Sequence, residues 1–146
     1  MKKIILLLAI VLFTQSCGSL AAGVINRAII DTDRDELITN SLKGIEKLNL
    51  NEEQSKLTTS IYTESTDYII ENAKKEKRKE ISNKTSLINV QYSMFKRQTK
   101  LEKILTKEQL LHYHQLISEN KISGSNEVEM RKLKNKFKKR GYDVVL

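Results

Sequence analysis

The chain has no proline and no tryptophan, only one cysteine and five glycines, and its aromatic residues are limited to five tyrosines and three phenylalanines. A single cysteine excludes a disulfide within the chain. Gly44 is the only glycine between Val24 and Ser123, so a long central stretch is almost free of helix breakers. Because lysine, glutamate, leucine and isoleucine are abundant there, the composition predicts an all-α fold.

The residue patterns of common catalytic and cofactor sites are also missing. The sequence has no glycine-rich phosphate loop, no H-E-x-x-H motif and no serine in a nucleophile setting. His112 and His114 are the only histidines. Two positions apart on a helix, they point about 200° apart around the axis and cannot share a metal. We therefore expect no enzyme activity, no metal site and no cofactor.

The longest hydrophobic run lies at the N-terminus, at residues 4–13, and follows Lys2 and Lys3. It is too short to span a bilayer. A basic start followed by a short apolar run is typical of a secretory signal. Residues 1–16 are therefore predicted to be a signal peptide, and the protein is expected in the bacterial cell envelope.

The single cysteine, Cys17, directly follows this segment, between a serine and a glycine. This setting is similar to a lipobox, in which the cysteine is acylated, although Thr14 stands where leucine is usual. Cleavage by ordinary signal peptidase stays open, since Ser19 and Ala21 satisfy its small-x-small rule. We expect a periplasmic protein anchored to a membrane by a lipid on Cys17. Residues 17–32 are predicted to be a tether, although their small and apolar sequence also suits an element packed loosely on the body.

The net charge is +8, and Lys2 and Lys3 are the only cations in the predicted signal. The exported part is therefore strongly basic. An exported basic protein encounters lipid head groups, wall polymers and acidic unfolded chains rather than a genome. We therefore expect no nucleic-acid partner.

The spacing of apolar residues predicts about four to five amphipathic helices. A helical domain is expected over residues 33–122 and a basic extension over residues 123–146. In the domain, a helix over residues 52–80 and one over residues 86–105 are expected to form a long antiparallel hairpin. Three further helices are predicted: one begins near Asp33, one spans residues 106–121 and one spans residues 127–140. The inner face of the helix over residues 52–80 is predicted to contain Leu57, Ile61, Tyr68 and Ile69.

A short pattern occurs twice, and each copy predicts the start of a helix. In the first copy Asn51 is the predicted N-cap and Gln54 stands three positions on; in the second these are Thr106 and Gln109. Such a pair forms a capping box, in which each residue bonds the backbone N–H of the other. The two copies are Leu50-Asn51-Glu52-Glu53-Gln54 and Leu105-Thr106-Lys107-Glu108-Gln109.

These two copies resemble the L-T-x-x-Q motif of the Spy/CpxP family of periplasmic stress proteins. The resemblance covers roughly residues 33–122 and departs at Asn51, where the family usually has threonine. It implies a curved antiparallel homodimer whose concave, basic and partly apolar surface holds unfolded proteins without ATP. It also implies that Leu50, Asn51, Gln54, Leu105, Thr106 and Gln109 are motif residues, which we expect to hold the fold.

The resemblance and the charge pattern together suggest an ATP-independent chaperone of the envelope stress response. Phe95, Lys96 and Arg97 lie near one another on one predicted helix and combine aromatic and basic character. Residues 74–80 form the charged end of the preceding predicted helix. The predicted client-binding residues are Tyr62, Lys74, Lys75, Phe95, Lys96 and Arg97. Two alternatives stay open: a regulatory partner of a membrane sensor domain, and a structural lipoprotein whose basic tail binds lipid or wall polymer.

Overall fold

A computed structural model describes residues 18–145 of the chain and, for side chains, residues 23–145. All regular structure in this part is helical, which confirms the predicted all-α fold. The predicted signal peptide and Cys17 lie outside the described residues. The elements are α1 (Gly18–Asp31), α2 (Arg34–Leu42), a 3-10 turn (Ile45–Leu48), α3 (Glu52–Lys77), α4 (Asn83–Ile104), α5 (Lys107–Ser118) and α6 (Glu127–Lys139).

Helices α3 and α4 form the long antiparallel hairpin that the sequence predicts. Ser82 begins α4 as its N-cap, because its hydroxyl accepts a hydrogen bond from the backbone N–H of Thr85. From there the chain returns along α3. Hydrogen bonds fix the register of the hairpin, since Asn72 bonds Ser86 near the loop and the hydroxyls of Ser65 and Ser93 lie 2.9 Å apart further along.

The inner face of α3 is polar, and the prediction that Leu57 and Tyr68 belong to it is wrong. Leu57 is 44% exposed and Tyr68 43% exposed, while Ile61 and Ile69 are half-buried. Small polar side chains such as Ser65 and Asn72 are buried there, because they hydrogen-bond Ser93 and Ser86 of α4 across the hairpin. The buried residues of α3 are Gln54, Thr58, Tyr62, Ser65, Thr66, Asn72 and Ala73.

Most of residues 17–32, the segment that begins at the predicted lipidation site, forms helix α1, which packs against α3 and α4. Ile25 is buried in a small apolar cluster with Val90. Asn26 is buried beside it and donates from Nδ2 to the hydroxyl of Ser86 at 2.9 Å. An apolar contact and a buried hydrogen bond together therefore hold α1 on the hairpin.

Ser86 is the centre of this buried polar network. Its hydroxyl accepts hydrogen bonds from Asn26 of α1 and, at 2.8 Å, from Asn72 of α3. Asn89 donates to the side-chain oxygen of Asn72 at 2.9 Å, and Tyr142 near the C-terminus donates to Asn89 at 2.8 Å. One polar chain therefore connects α1, α3, α4 and the end of the molecule.

Replacing Ser86 by alanine should lower the free energy of unfolding by about 1–3 kcal/mol, because two buried amide donors lose an acceptor. Urea denaturation followed by circular dichroism measures this change. Ser60→Ala is the matched control, because Ser60 is exposed on α3 and its replacement should change stability by less than about 0.5 kcal/mol. Equal midpoints for the two variants would show that the network adds no stability.

The main apolar core lies where α5 and the 3-10 turn close over one end of the hairpin. Leu48, Tyr62, Leu101 and Tyr113 are almost fully buried there. At the opposite face of α4, helix α6 is held by Phe137, whose ring lies 5.2 Å from that of Tyr92. The C-terminal extension is therefore a helix packed on the body.

Candidate functional site

Both copies of the repeated pattern form the capping boxes that the sequence predicts. At α3, the backbone N–H of Gln54 donates to Asn51 at 2.8 Å, and the N–H of Asn51 donates to the Gln54 side chain at 3.1 Å. At α5, the N–H of Gln109 donates to Thr106 at 3.2 Å, and the N–H of Thr106 donates to the Gln109 side chain at 3.0 Å. Each glutamine thus closes the first turn of its helix.

The two glutamines also bind each other, which the sequence did not predict. Gln54 Nε2 donates to Gln109 Oε1 at 2.8 Å, and Gln109 Nε2 donates back to Gln54 Oε1 at 3.1 Å. Each amide further donates to a carbonyl two residues before the other helix's cap, at Ile104 and Asn49 respectively. With Leu50 and Leu105 packed against the core nearby, the two motifs form a reciprocal clamp between helix starts.

A groove between α3 and α4 brings several charged and aromatic side chains together, and we call it the basic groove. Lys100 Nζ lies 2.6 Å from one carboxylate oxygen of Glu64, and Lys96 Nζ lies 4.0 Å from the other. The hydrogen bond from Lys100 is the main reason that the pKa of Glu64 is lowered. The groove encloses about 80 Å³ and is lined by Ile61, Glu64, Ser65, Tyr68, Tyr92, Ser93, Lys96, Arg97 and Lys100.

Arg97 lies against this groove as a buried cation without a carboxylate partner in residues 18–145. The residue is only 8% exposed, and its guanidinium carbon lies 4.6 Å from the centre of the Tyr62 ring. A cation above an aromatic face gains roughly 0.5–2 kcal/mol. Burial raises the pKa of Tyr62, while the positive charge of Arg97 opposes that rise. The groove therefore holds three cations and one carboxylate.

Two of the residues predicted to contact clients are buried, so their predicted surface position is wrong. Tyr62 is 2% exposed because it belongs to the main core, and Phe95 is 4% exposed because Phe137 of α6 covers it at 5.4 Å between ring centres. The sequence could not show this cover, because α6 lies far along the chain.

The predicted basic residues lie in two different places. Lys96 and Arg97 line the basic groove, whereas Lys74 and Lys75 are exposed in the last turn of α3. Cations there complement the negative end of the helix dipole, which gives them a structural role. The structure therefore places only part of the predicted set in the groove.

Sequence reasoning missed Lys100, Glu64 and Tyr92 as groove residues. Lys96 and Lys100 are four positions apart and so share one face of α4, a signal that the sequence does contain. Glu64 comes opposite them only through the hairpin register. Lys96 Nζ also lies 5.7 Å from the centre of the Tyr92 ring.

A second, wider hollow lies between α4, α5 and the first turns of α6, and we call it the α6 cleft. Its volume is about 460 Å³. Met94, Ile117, Met130 and Leu133 give it apolar walls, and Arg97 reaches its edge. Next to it, Leu111 on α5 is one of the most exposed large apolar residues of the described chain.

No helix within residues 18–145 is both long and apolar enough to cross a membrane. In the same part of the chain, no three histidine, cysteine, aspartate or glutamate side chains are grouped as a metal site would require. Comparisons with protein-family models, with curated proteins and with solved structures found no match to this chain.

Proposed function

We propose that this protein is an exported chaperone that binds unfolded polypeptides without ATP, as the resemblance to the Spy/CpxP family suggests. The observation that carries the proposal is the basic groove, where Lys96, Arg97 and Lys100 line the same hollow as the half-exposed ring of Tyr68. A polypeptide that is unfolded presents both acidic and apolar groups, and this surface can contact both kinds.

The physical basis is a division between capture and retention. A net charge of +8 attracts acidic chains from a distance and speeds their encounter with the protein. Exposed apolar side chains then hold the captured segment, because contact with them removes apolar surface of the client from water. Within residues 23–145, the exposed large apolar residues are Val24, Leu57, Tyr68, Leu111, Val128 and Val145.

Binding of this kind is weak and reversible, so no nucleotide hydrolysis is needed for release. A client leaves when it folds and buries its own apolar surface. We propose that the working form is a homodimer in the periplasm, held at a membrane by a lipid on Cys17.

An aggregation assay tests this function. Light scattering by a heat-denatured model protein should fall when the purified protein is added near equimolar ratio, without nucleotide. High salt should weaken the suppression, because screening shortens electrostatic attraction to within roughly a Debye length of 10 Å or less. Undiminished scattering in the presence of the folded protein would contradict the proposal.

A second candidate function is supported by α6, which is strongly basic and mostly exposed. Phe137 is its one buried residue, and seven of residues 127–140 are lysine or arginine. A basic amphipathic helix can lie on an anionic surface. Under this alternative, deletion of residues 127–146 should abolish sedimentation with anionic vesicles and leave the helical body folded.

A regulatory partner on a membrane sensor remains the other alternative. It predicts one saturable complex of fixed stoichiometry with that sensor domain, whereas the proposed chaperone should bind many unrelated unfolded chains. Titration against several unfolded proteins separates the two, since a partner-specific protein should bind none of them.

A further inference from the structure

The charges of the basic groove are not balanced. Lys96 and Lys100 share the single carboxylate of Glu64, and Arg97 has neither an acidic partner nor a hydrogen bond within residues 18–145. Burying a cation without an opposite charge is costly. An anion that enters the groove would therefore gain more here than on an open basic surface.

The size and surroundings of the groove favour one kind of anion. Its volume of about 80 Å³ suits a single carboxylate rather than a bulky ligand. Glu64 shows that a carboxylate fits between the groove's lysines, at 2.6 Å from Lys100 Nζ. Ile61 and Tyr68 flank the same hollow and provide apolar surface beside the charge.

From this geometry we infer that the basic groove is a specific subsite for an acidic side chain of an unfolded polypeptide, followed by an apolar residue. The client carboxylate binds Lys100 and Arg97 in competition with Glu64, and the neighbouring apolar side chain packs on Tyr68. This inference rests on the proposed function and names the kind of segment that the protein captures first.

Because Glu64 competes with the client carboxylate, replacing Glu64 should strengthen binding of the client rather than weaken it. Glu64→Gln removes the internal carboxylate, frees both lysines and should tighten binding of an acidic segment by about three- to tenfold, or roughly 0.7–1.4 kcal/mol. A residue with only a structural role would not improve binding when it is replaced. Glu53→Gln is the matched control, because Glu53 is exposed on the same helix and its replacement changes the net charge equally.

The experiment uses fluorescence anisotropy of a short unstructured peptide with capped ends, an uncharged dye and one Asp-Leu pair. The full chain should bind it about fivefold more tightly than the same peptide with Asn-Leu, and also more tightly than one with Asp-Ser. Lys100→Gln should abolish the preference for aspartate. Arg97→Gln should do the same, with circular dichroism to show that this variant is folded.

Three results would overturn the inference. Equal binding of the Asp-Leu and Asn-Leu peptides would remove the carboxylate subsite. Equal gains for Glu64→Gln and Glu53→Gln would show that overall charge alone acts. Equal binding of the Asp-Leu and Asp-Ser peptides would remove the apolar half of the subsite and leave a site that recognises a carboxylate alone. If aggregation is suppressed in any of these cases, the proposed function stands and only the subsite is lost. If the peptide binds as expected but aggregation is not suppressed, the subsite stands and the proposed function is lost.

Discussion

Replacing Phe137 by alanine is expected to release helix α6 from the body. Phe137 is fully buried, and its ring lies against those of Tyr92, Phe95 and Tyr142, with centres 5.2–5.6 Å away. Removing such a side chain costs about 3–5 kcal/mol. The other contacts of this region are polar and only partly buried, such as Lys136 with Gln91 and Tyr142 with Asn89, and we expect them not to hold the helix without the ring of Phe137.

Hydrogen exchange measured by mass spectrometry would show this release as rapid exchange over residues 127–145, with protection of α3 and α4 retained. Val128→Ala is the matched control on the same helix, since Val128 is 57% exposed and its loss should leave exchange unchanged. Unaltered protection of α6 in the Phe137→Ala variant would show that other contacts hold the extension.

Replacing Gln54 by alanine should lower the free energy of unfolding by about 2–4 kcal/mol, since it removes a helix-capping bond and buried bonds to the other motif. The Gln54 amide is buried and donates to both Gln109 and the carbonyl of Ile104. Gln109→Ala should cost less, because Gln109 is only half-buried.

A double-mutant cycle tests whether the two motifs act as one unit. The Gln54→Ala, Gln109→Ala double variant should lose less stability than the sum of the single losses, with a coupling of about 0.5–3 kcal/mol. Gln115→Ala provides the control, because within residues 23–145 the side chain of this exposed glutamine hydrogen-bonds only Glu119, the residue directly after α5, and neither motif. Additive losses in urea denaturation would mean that the two motifs cap their helices independently.

Local signals predicted most of the helices. Asp33, Asn51, Ser82 and Thr106 each accept a backbone hydrogen bond at the start of their helix, and the helices predicted from these regions are all present. These contacts join residues two or three apart, so the sequence contains all that determines them. Asn126 and Glu129 form a third capping box, which the same pattern could have predicted.

Packing between segments that are distant in the sequence could not be predicted. Residues 17–32 offered no strong helix start, and α1 is stable because Asn26 meets Ser86, a partner 60 positions away. The polar inner face of α3 escaped prediction for the same reason. Hydrophobic periodicity selects Leu57 and Tyr68, whereas burial of Ser65 and Asn72 depends on partners across the hairpin.

The candidate site likewise has a part that local sequence predicts and a part that depends on packing between distant segments. Two of its three cations, Lys96 and Arg97, were predicted from their mixture with Phe95 on one helix. The burial of Phe95 depends on Phe137, and the pairing of Lys100 with Glu64 depends on the register of the hairpin. Residue types could predict that the site is basic and partly aromatic, but they could not predict the full set of residues that line the groove.

The central claim is that the protein prefers unfolded chains to folded ones of the same charge. A disulfide-containing acidic protein provides both forms, native or reduced and blocked with an uncharged amide reagent, and calorimetry or anisotropy gives the affinity for each. We predict at least about tenfold tighter binding of the unfolded form, a difference of roughly 1.4 kcal/mol that arises from its exposed apolar residues. Equal affinity for the two forms would contradict the account, because it would identify the protein as a general binder of acidic surfaces.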